Sequence, residues 1–169
     1  MKKTLNVIAL FVSCFCFIST AHAQDNRIRL KASTNHTQGM AQSYDDGAGI
    51  AVDYSYTLLE HFELGASFTD VFRASSANLY TLTLNPSASY GVDRFHFYAG
   101  PSIGFLFDRE NTGMVSSYER NEFGFGGFAG VDFSISDHWS LNLSYEYVRS
   151  FNSPILSVSS FGGGIGFQF

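Results

Sequence analysis

The sequence predicts an all-β protein, an eight-stranded antiparallel up-and-down transmembrane β-barrel. Three observations predict it: a hydrophobic period of two along nearly the whole chain, strand segments longer than soluble sheets use, and a strict alternation of short and long connections.

The chain opens on a segment of export character. Lys2 and Lys3 form a short basic start, residues 5–18 are an apolar run, and Ala21-His22-Ala23 places small residues at the two positions a signal peptidase reads. The run is shorter than the roughly 20 residues that span a bilayer as a helix. Residues 1–23 are therefore expected to be a cleaved signal peptide, with cleavage read by Ala21 and Ala23, and 24–169 the barrel domain. A lipoprotein reading through Phe11-Val12-Ser13-Cys14 is disfavoured, since Phe stands where Leu is usual and the cut would fall very early. Removing 23 of 169 residues leaves 146, enough for one domain. Cys14 and Cys16 go with the signal, so no thiol or disulfide is expected in the mature chain. Lys+Arg falls from 10 to 8 against 15 Asp+Glu, a net charge of −7. That balance excludes nucleic acid as an expected partner, because phosphate binding needs clustered cations.

Eight segments alternate in polarity: 27–34, 48–58, 62–72, 78–91, 95–108, 122–135, 139–149 and 157–169. The clearest is the seventh, where Trp139, Leu141, Leu143, Tyr145 and Tyr147 alternate with Ser140, Asn142, Ser144 and Glu146. Tight polar turns are expected at Leu59-Glu60-His61, Val92-Asp93-Arg94 and Ser136-Asp137-His138. The longer connections are read at 35–47, 73–77, 109–121 and 150–156. Short turns on the periplasmic side and longer loops outside are the plan of outer-membrane barrels.

Volume decides which face is inside. The apolar set is bulky on every strand, whereas the alternate set is mostly Gly, Ser, Thr and Asn. An eight-stranded barrel has an interior just wide enough for side chains to fill it. Large aromatics from eight strands cannot fit there, so the bulky set is expected to face lipid. Tyr90, Phe95, Phe97, Phe133, Trp139, Phe167 and Phe169 gather beside the short turns, as interfacial girdles do. The same phase sends Arg29, Lys31, Asp53, Glu63, Asp132 and Glu146 inward. Buried charges must pair, so these six are read as a structural network filling the lumen; an ion path or proton relay is the alternative.

The last strand ends Phe161-Gly162-Gly163-Gly164-Ile165-Gly166-Phe167-Gln168-Phe169, with Ile165, Phe167 and Phe169 on one phase. A terminal aromatic on an alternating last strand resembles the signal read by the barrel assembly machinery. Taken with Tyr98-Ala99-Gly100-Pro101-Ser102-Ile103-Gly104, Gly126-Gly127-Phe128-Ala129-Gly130-Val131-Asp132 and the run from Ser136 to Tyr147, the chain resembles the OmpA-like superfamily, in the small-barrel group of OmpX and Ail. The resemblance covers essentially the whole mature chain. It implies an outer-membrane location, lipids and lipopolysaccharide as surroundings, and assembly by that machinery. No peptidoglycan-binding domain is expected after the barrel.

Small barrels of this kind include lipid A deacylases and palmitoyltransferases, so the resemblance also admits an acyl-transfer site. The His138-x-Ser140 pair with Glu146 is the best candidate for an acyl-transfer site. At roughly 3.4 Å per residue, Glu146 lies about 20 Å along the strand from Ser140, so the triad does not close. No catalytic residue is expected. No histidine pair has metal-ligand spacing, and neither a metal nor a cofactor is expected. Asp45, Asp46, Asp108, Glu110, Glu119 and Glu122 are read as solvated acidic groups of the outer loops, with divalent cations shared with lipopolysaccharide phosphates as the alternative. The function expected is a non-enzymatic barrel serving envelope integrity or adhesion and host interaction, with any surface ligand bound by the loops 35–47 and 109–121. A lipid A-modifying enzyme and a narrow solute channel are the alternatives.

Overall fold

A computed structural model of the protein describes residues 26–38, 44–73, 78–111, 117–152 and 156–169. The expected leader, with Ala21 and Ala23, lies outside the described residues. The strands are β1 (Asn26–Gln38), β2 (Tyr44–Leu59), β3 (Phe62–Arg73), β4 (Asn78–Val92), β5 (Phe95–Asn111), β6 (Ser117–Ser134), β7 (Trp139–Ser150) and β8 (Ser157–Gln168). Each pairs antiparallel with its sequence neighbours, and β8 returns to β1, closing the barrel. The final residue takes part in closure: Asn26 N donates to the Phe169 carbonyl at 3.1 Å and Phe169 N to that of Asn26 at 3.0 Å.

Every strand carries a large apolar residue on the outer surface: Leu30, Val52, Leu64, Leu84, Phe97, Phe125, Leu141 and Ile165 are all exposed. The inward phase holds small polar residues such as Ser67, Thr83, Ser87, Ser102 and Ser144. This is the inversion that the volume argument requires. Glycine on the inward phase lets strands approach closely: a Cβ at Gly126 would sit 1.7 Å from the Tyr147 carbonyl oxygen, so alanine there would push β6 from β7.

The tight turns contain the special geometry. Asp93, between β4 and β5, has φ of 52°, a left-handed conformation that Asp tolerates better than bulkier residues. Between β2 and β3 the register shifts around Leu58. This bulge moves Leu59 onto the outer face opposite Phe62, so both leucines are exposed. The β4–β5 register runs to Leu84↔Ile103 and resumes at Ala88↔Ala99. Pro86 and Pro101 lie in that interval, and neither has an N–H to give to the ladder.

One sequence expectation needs correction. The loops 35–47 and 109–121 are largely strand: β1 pairs with β2 up to Gln38↔Tyr44, and β5 with β6 up to Asn111↔Ser117. Where the wall rises beyond the hydrocarbon neither face needs to be apolar, so the period-two signal fades while backbone pairing continues. The stretches 39–43 and 112–116 lie outside the described residues.

Two outcomes follow. The purified protein should migrate differently on a detergent gel before and after boiling, and co-migration would contradict a closed barrel. Amide exchange should show protected N–H groups over residues 35–38 and 44–47, and faster exchange within 85–87 and 100–102 than in the flanking ladder.

Candidate functional site

The polar lumen is built by the odd positions of β1. With Ile28 and Leu30 turned outward, Arg27, Arg29 and Lys31 all project inside. Two linked networks result, one toward the tight-turn end and one at mid-height.

The first centres on Asp132 from β6. Arg29 donates to it through Nε at 3.1 Å and Nη2 at 2.7 Å, a bidentate clasp, and through Nη1 to Ser55 Oγ at 3.1 Å. The Arg29 guanidinium also lies over the Tyr98 ring, 4.5 Å from its centroid. Asn142 Nδ2 donates to Asp132 Oδ1 and reaches the Tyr98 hydroxyl, both at 2.7 Å. Glu63 meets His96 Nε2 at 2.9 Å and Arg27 Nη1 at 3.6 Å. Arg27 also sits 2.5 Å from His96 Nδ1 and donates through Nε to Gln168. Arg29 and Asp132 are only 3 % exposed, so their mutual pairing is what allows both to be charged there.

The second network centres on Lys31. Its Nζ lies 2.5 Å from Asp53 Oδ2 and donates to Ser144 Oγ at 3.1 Å. Ser67 donates to the other Asp53 oxygen at 2.7 Å. Glu146 accepts from Thr83 and Ser102, each at 3.0 Å. The space among Arg29, Lys31, Asp53, Asn85, Tyr98 and Glu146 is about 20 Å³, room for a water molecule or two and no solute.

Toward the long-connection end the lumen changes character. Val71, Leu79, Leu106, Val148, Leu156 and Val158 form a buried apolar cluster. Beside it Glu122, read from the sequence as a solvated loop acid, is 4 % exposed and accepts from Ser150. It lies on the inward phase of β6, because β6 begins earlier than its polar composition suggests.

The six sequence-predicted lumen residues thus fall into the two networks: Arg29, Glu63 and Asp132 in one, Lys31, Asp53 and Glu146 in the other. Sequence reasoning left out Arg27, Tyr98 and Asn142 as partners, although all three share the inward phase. The apolar cluster also carried a signal, since Val71, Leu79, Leu106 and Val148 are apolar residues on otherwise polar phases. Ile165, Phe167 and Phe169 stand apart on the outer surface, where Phe167 packs edge-on against Trp139 at 5.0 Å. The acyl-transfer candidates are not assembled. His138 Nδ1 faces the Gln168 carbonyl at 3.1 Å in an exposed turn, while Glu146 is held by Thr83 and Ser102. Among the described residues no group of three or more His, Cys, Asp or Glu is placed to hold a metal.

The arrangement can be compared with known proteins. The model of the outer membrane protein beta-barrel domain matches residues 7–169. No curated protein matches the chain by sequence. Among solved structures, neisserial surface protein A superposes with a TM-score of 0.73 at 12% identity, over 85% of this chain and 97% of that one. The Yersinia pestis attachment invasion locus protein Ail, crystallised with the heparin analogue sucrose octasulfate, gives 0.66 at 15% identity over 86% and 99%. The N-terminal barrel of Pseudomonas aeruginosa OprF gives 0.60 at 17% identity over 87% and 100%. At these identities the likeness is one of fold.

Breaking the central pair tests the energetics. Asp132→Ala should lower unfolding stability in lipid vesicles by ~3–5 kcal/mol, because it strands a buried guanidinium. The double variant Arg29→Met with Asp132→Leu should lose much less than the two single losses combined.

Proposed function

Because the chain belongs to the outer membrane protein beta-barrel domain family, we propose that it is a non-enzymatic barrel whose outer connections serve envelope integrity or surface interaction, including adhesion to host molecules. The observation that carries this reading is the filled lumen. Ion-paired side chains occupy its turn end and middle, and the Val71, Leu79, Leu106, Val148, Leu156 and Val158 cluster closes it toward the long connections. Among the described residues the interior spaces are only about 20 and 10 Å³, which supports placing the interaction chemistry at the outer rim. In that reading residues 1–23 direct export, and Ile165, Phe167 and Phe169 present the last strand to the assembly machinery. The network of Arg29, Lys31, Asp53, Glu63, Asp132 and Glu146 is structural in this reading. The rims of β1–β2 and β5–β6 carry the connections where a surface ligand would bind.

Deleting the gene should leave the lipid A mass spectrum unchanged; a shift by an acyl-chain mass would overturn the non-enzymatic reading. Cells displaying the protein should bind host surface or matrix material more strongly than cells without it, or should better resist detergent. Replacing residues 112–116 by a short Gly-Ser turn should remove the binding while the folded barrel persists. Planar-bilayer recording of the purified protein should show no discrete conductance at high salt.

A further inference from the structure

The outer wall carries almost no charge. Among the described side chains, Asp46, Asp70 and Arg149 are the only Asp, Glu, Lys or Arg on the outward phase of the eight strands. Asp46 stands at the rim with His36, 2.6 Å away. Asp70 lies lower, on the β3 phase of the exposed Leu64 and Phe72, with Ile50 of β2 and Tyr80 of β4 beside it in its row. One of its carboxylate oxygens is buried without a hydrogen-bond partner. The rings of Phe68 and Tyr80 stack next to it, 6.2 Å between centroids. Arg149 is exposed on the Tyr145 and Tyr147 phase of β7. Its row partner on β6 is Phe125, whose ring packs on Phe151 at 4.4 Å. β3 and β7 are four strands apart in a ring of eight, so Asp70 and Arg149 stand on opposite sides of the barrel. Their heights are similar. Asp70 is eight residues above Phe62 and Arg149 ten above Trp139, each counted from a strand start after a tight turn, or about 21 and 26 Å at the usual strand rise and tilt.

We propose that these two faces bind one another in neighbouring copies of the chain, the Asp70 face of one barrel against the Arg149 face of the next. An ionisable group on the lipid side of a membrane protein is costly and calls for a counter-charge. Among the described residues Asp70 has no cation within ion-pair distance, and Arg149 has no carboxylate. Charge decides the symmetry. A two-fold dimer through either face would bring Asp70 toward Asp70 or Arg149 toward Arg149, and like charges repel across an interface. A heterologous contact brings opposite charges together and repeats from copy to copy. Because the two faces lie on opposite sides, each added copy is displaced with little rotation, so the assembly is a row of barrels in the membrane plane and not a closed ring. All copies cross the membrane in the same direction, which keeps the charges at matching heights. The remaining offset of about 5 Å is within the reach of an extended Arg side chain. The aromatic frames suit the same contact: Phe68 and Tyr80 flank the carboxylate, Phe125 and Tyr147 flank the guanidinium, and a guanidinium packs well on aromatic faces. The row requires only the barrel in its membrane, and is independent of the adhesive or envelope role proposed above.

The test is photo-cross-linking of the full-length barrel in phosphatidylcholine vesicles, with benzoylphenylalanine in place of Phe68 or of Tyr147. Cross-links from position 68 should fall on β7 of a neighbour and those from position 147 on β3. The products should run as a ladder of dimer, trimer and larger species. Asp70→Arg and Arg149→Asp should each lower the yield about tenfold, the loss expected of one charge-assisted hydrogen-bonded contact. Mixing the two variants before reconstitution should restore the ladder, because each then meets the opposite charge on the other. Heat-modifiable migration of each variant verifies that it is folded. A wild type that stays monomeric, or a yield that neither variant changes, would overturn the contact. Products that stop at a dimer joined through position 68 on both copies would overturn the head-to-tail row.

Discussion

Hydrocarbon offers the backbone no hydrogen-bonding partner, and the rest of this molecule follows from that constraint. Each peptide group in the span must be satisfied by another strand, and an open sheet would leave an edge exposed to lipid. Closure of β8 on β1 removes the edge, down to the paired exchange between Asn26 and Phe169. The constraint also shows where the wall is weakest. Pro86 and Pro101 each withdraw a donor from the β4–β5 ladder, and pairing there is interrupted and then resumes in the same register. The seam persists because the strands on both sides of it are fully paired.

Closure at eight strands then dictates the interior. A lumen this narrow accepts small side chains and close backbones, as the position of Gly126 against Tyr147 illustrates. The few long side chains inside must be matched to one another, and they are: Arg29 lies along Tyr98 and ends on Asp132, while Lys31 ends on Asp53. The bulky residues excluded from the lumen become the lipid-facing surface, so the composition of each face is a consequence of the strand count.

These consequences were legible in the sequence to different depths. The period of two assigns faces one strand at a time, and so it placed Arg29, Lys31, Asp53, Glu63, Asp132 and Glu146 on the inward phase. It says nothing about which residue lies opposite which. The Arg29–Asp132 clasp joins β1 to β6 across the lumen, a contact that depends on the register of every strand between them. Strand ends were obscured for another reason. Residues 35–38, 44–47 and 117–121 are polar on both phases, so pattern reads them as loop although their backbones pair. Glu122 was misplaced with them. The apolar cluster was visible as Leu79, Leu106 and Val148 out of phase with their polar neighbours. Its meaning depended on those residues converging at one height.

Why the lumen carries charges at all follows from the solvent. In water a greasy face hides by itself, but lipid gives no hydrophobic reason to prefer one face of a strand inside. A barrel with apolar residues on both faces would have no means of fixing its register, since a one-residue slip merely exchanges equivalent surfaces. Charges on one phase remove that degeneracy. If β1 slipped by one residue, Arg29 and Lys31 would enter the hydrocarbon, at ~2–4 kcal/mol each near the midplane, and Asp132 and Asp53 would be left without their partners. The ion pairs therefore add less to stability than to selection among registers, a role for which buried polar groups are well suited.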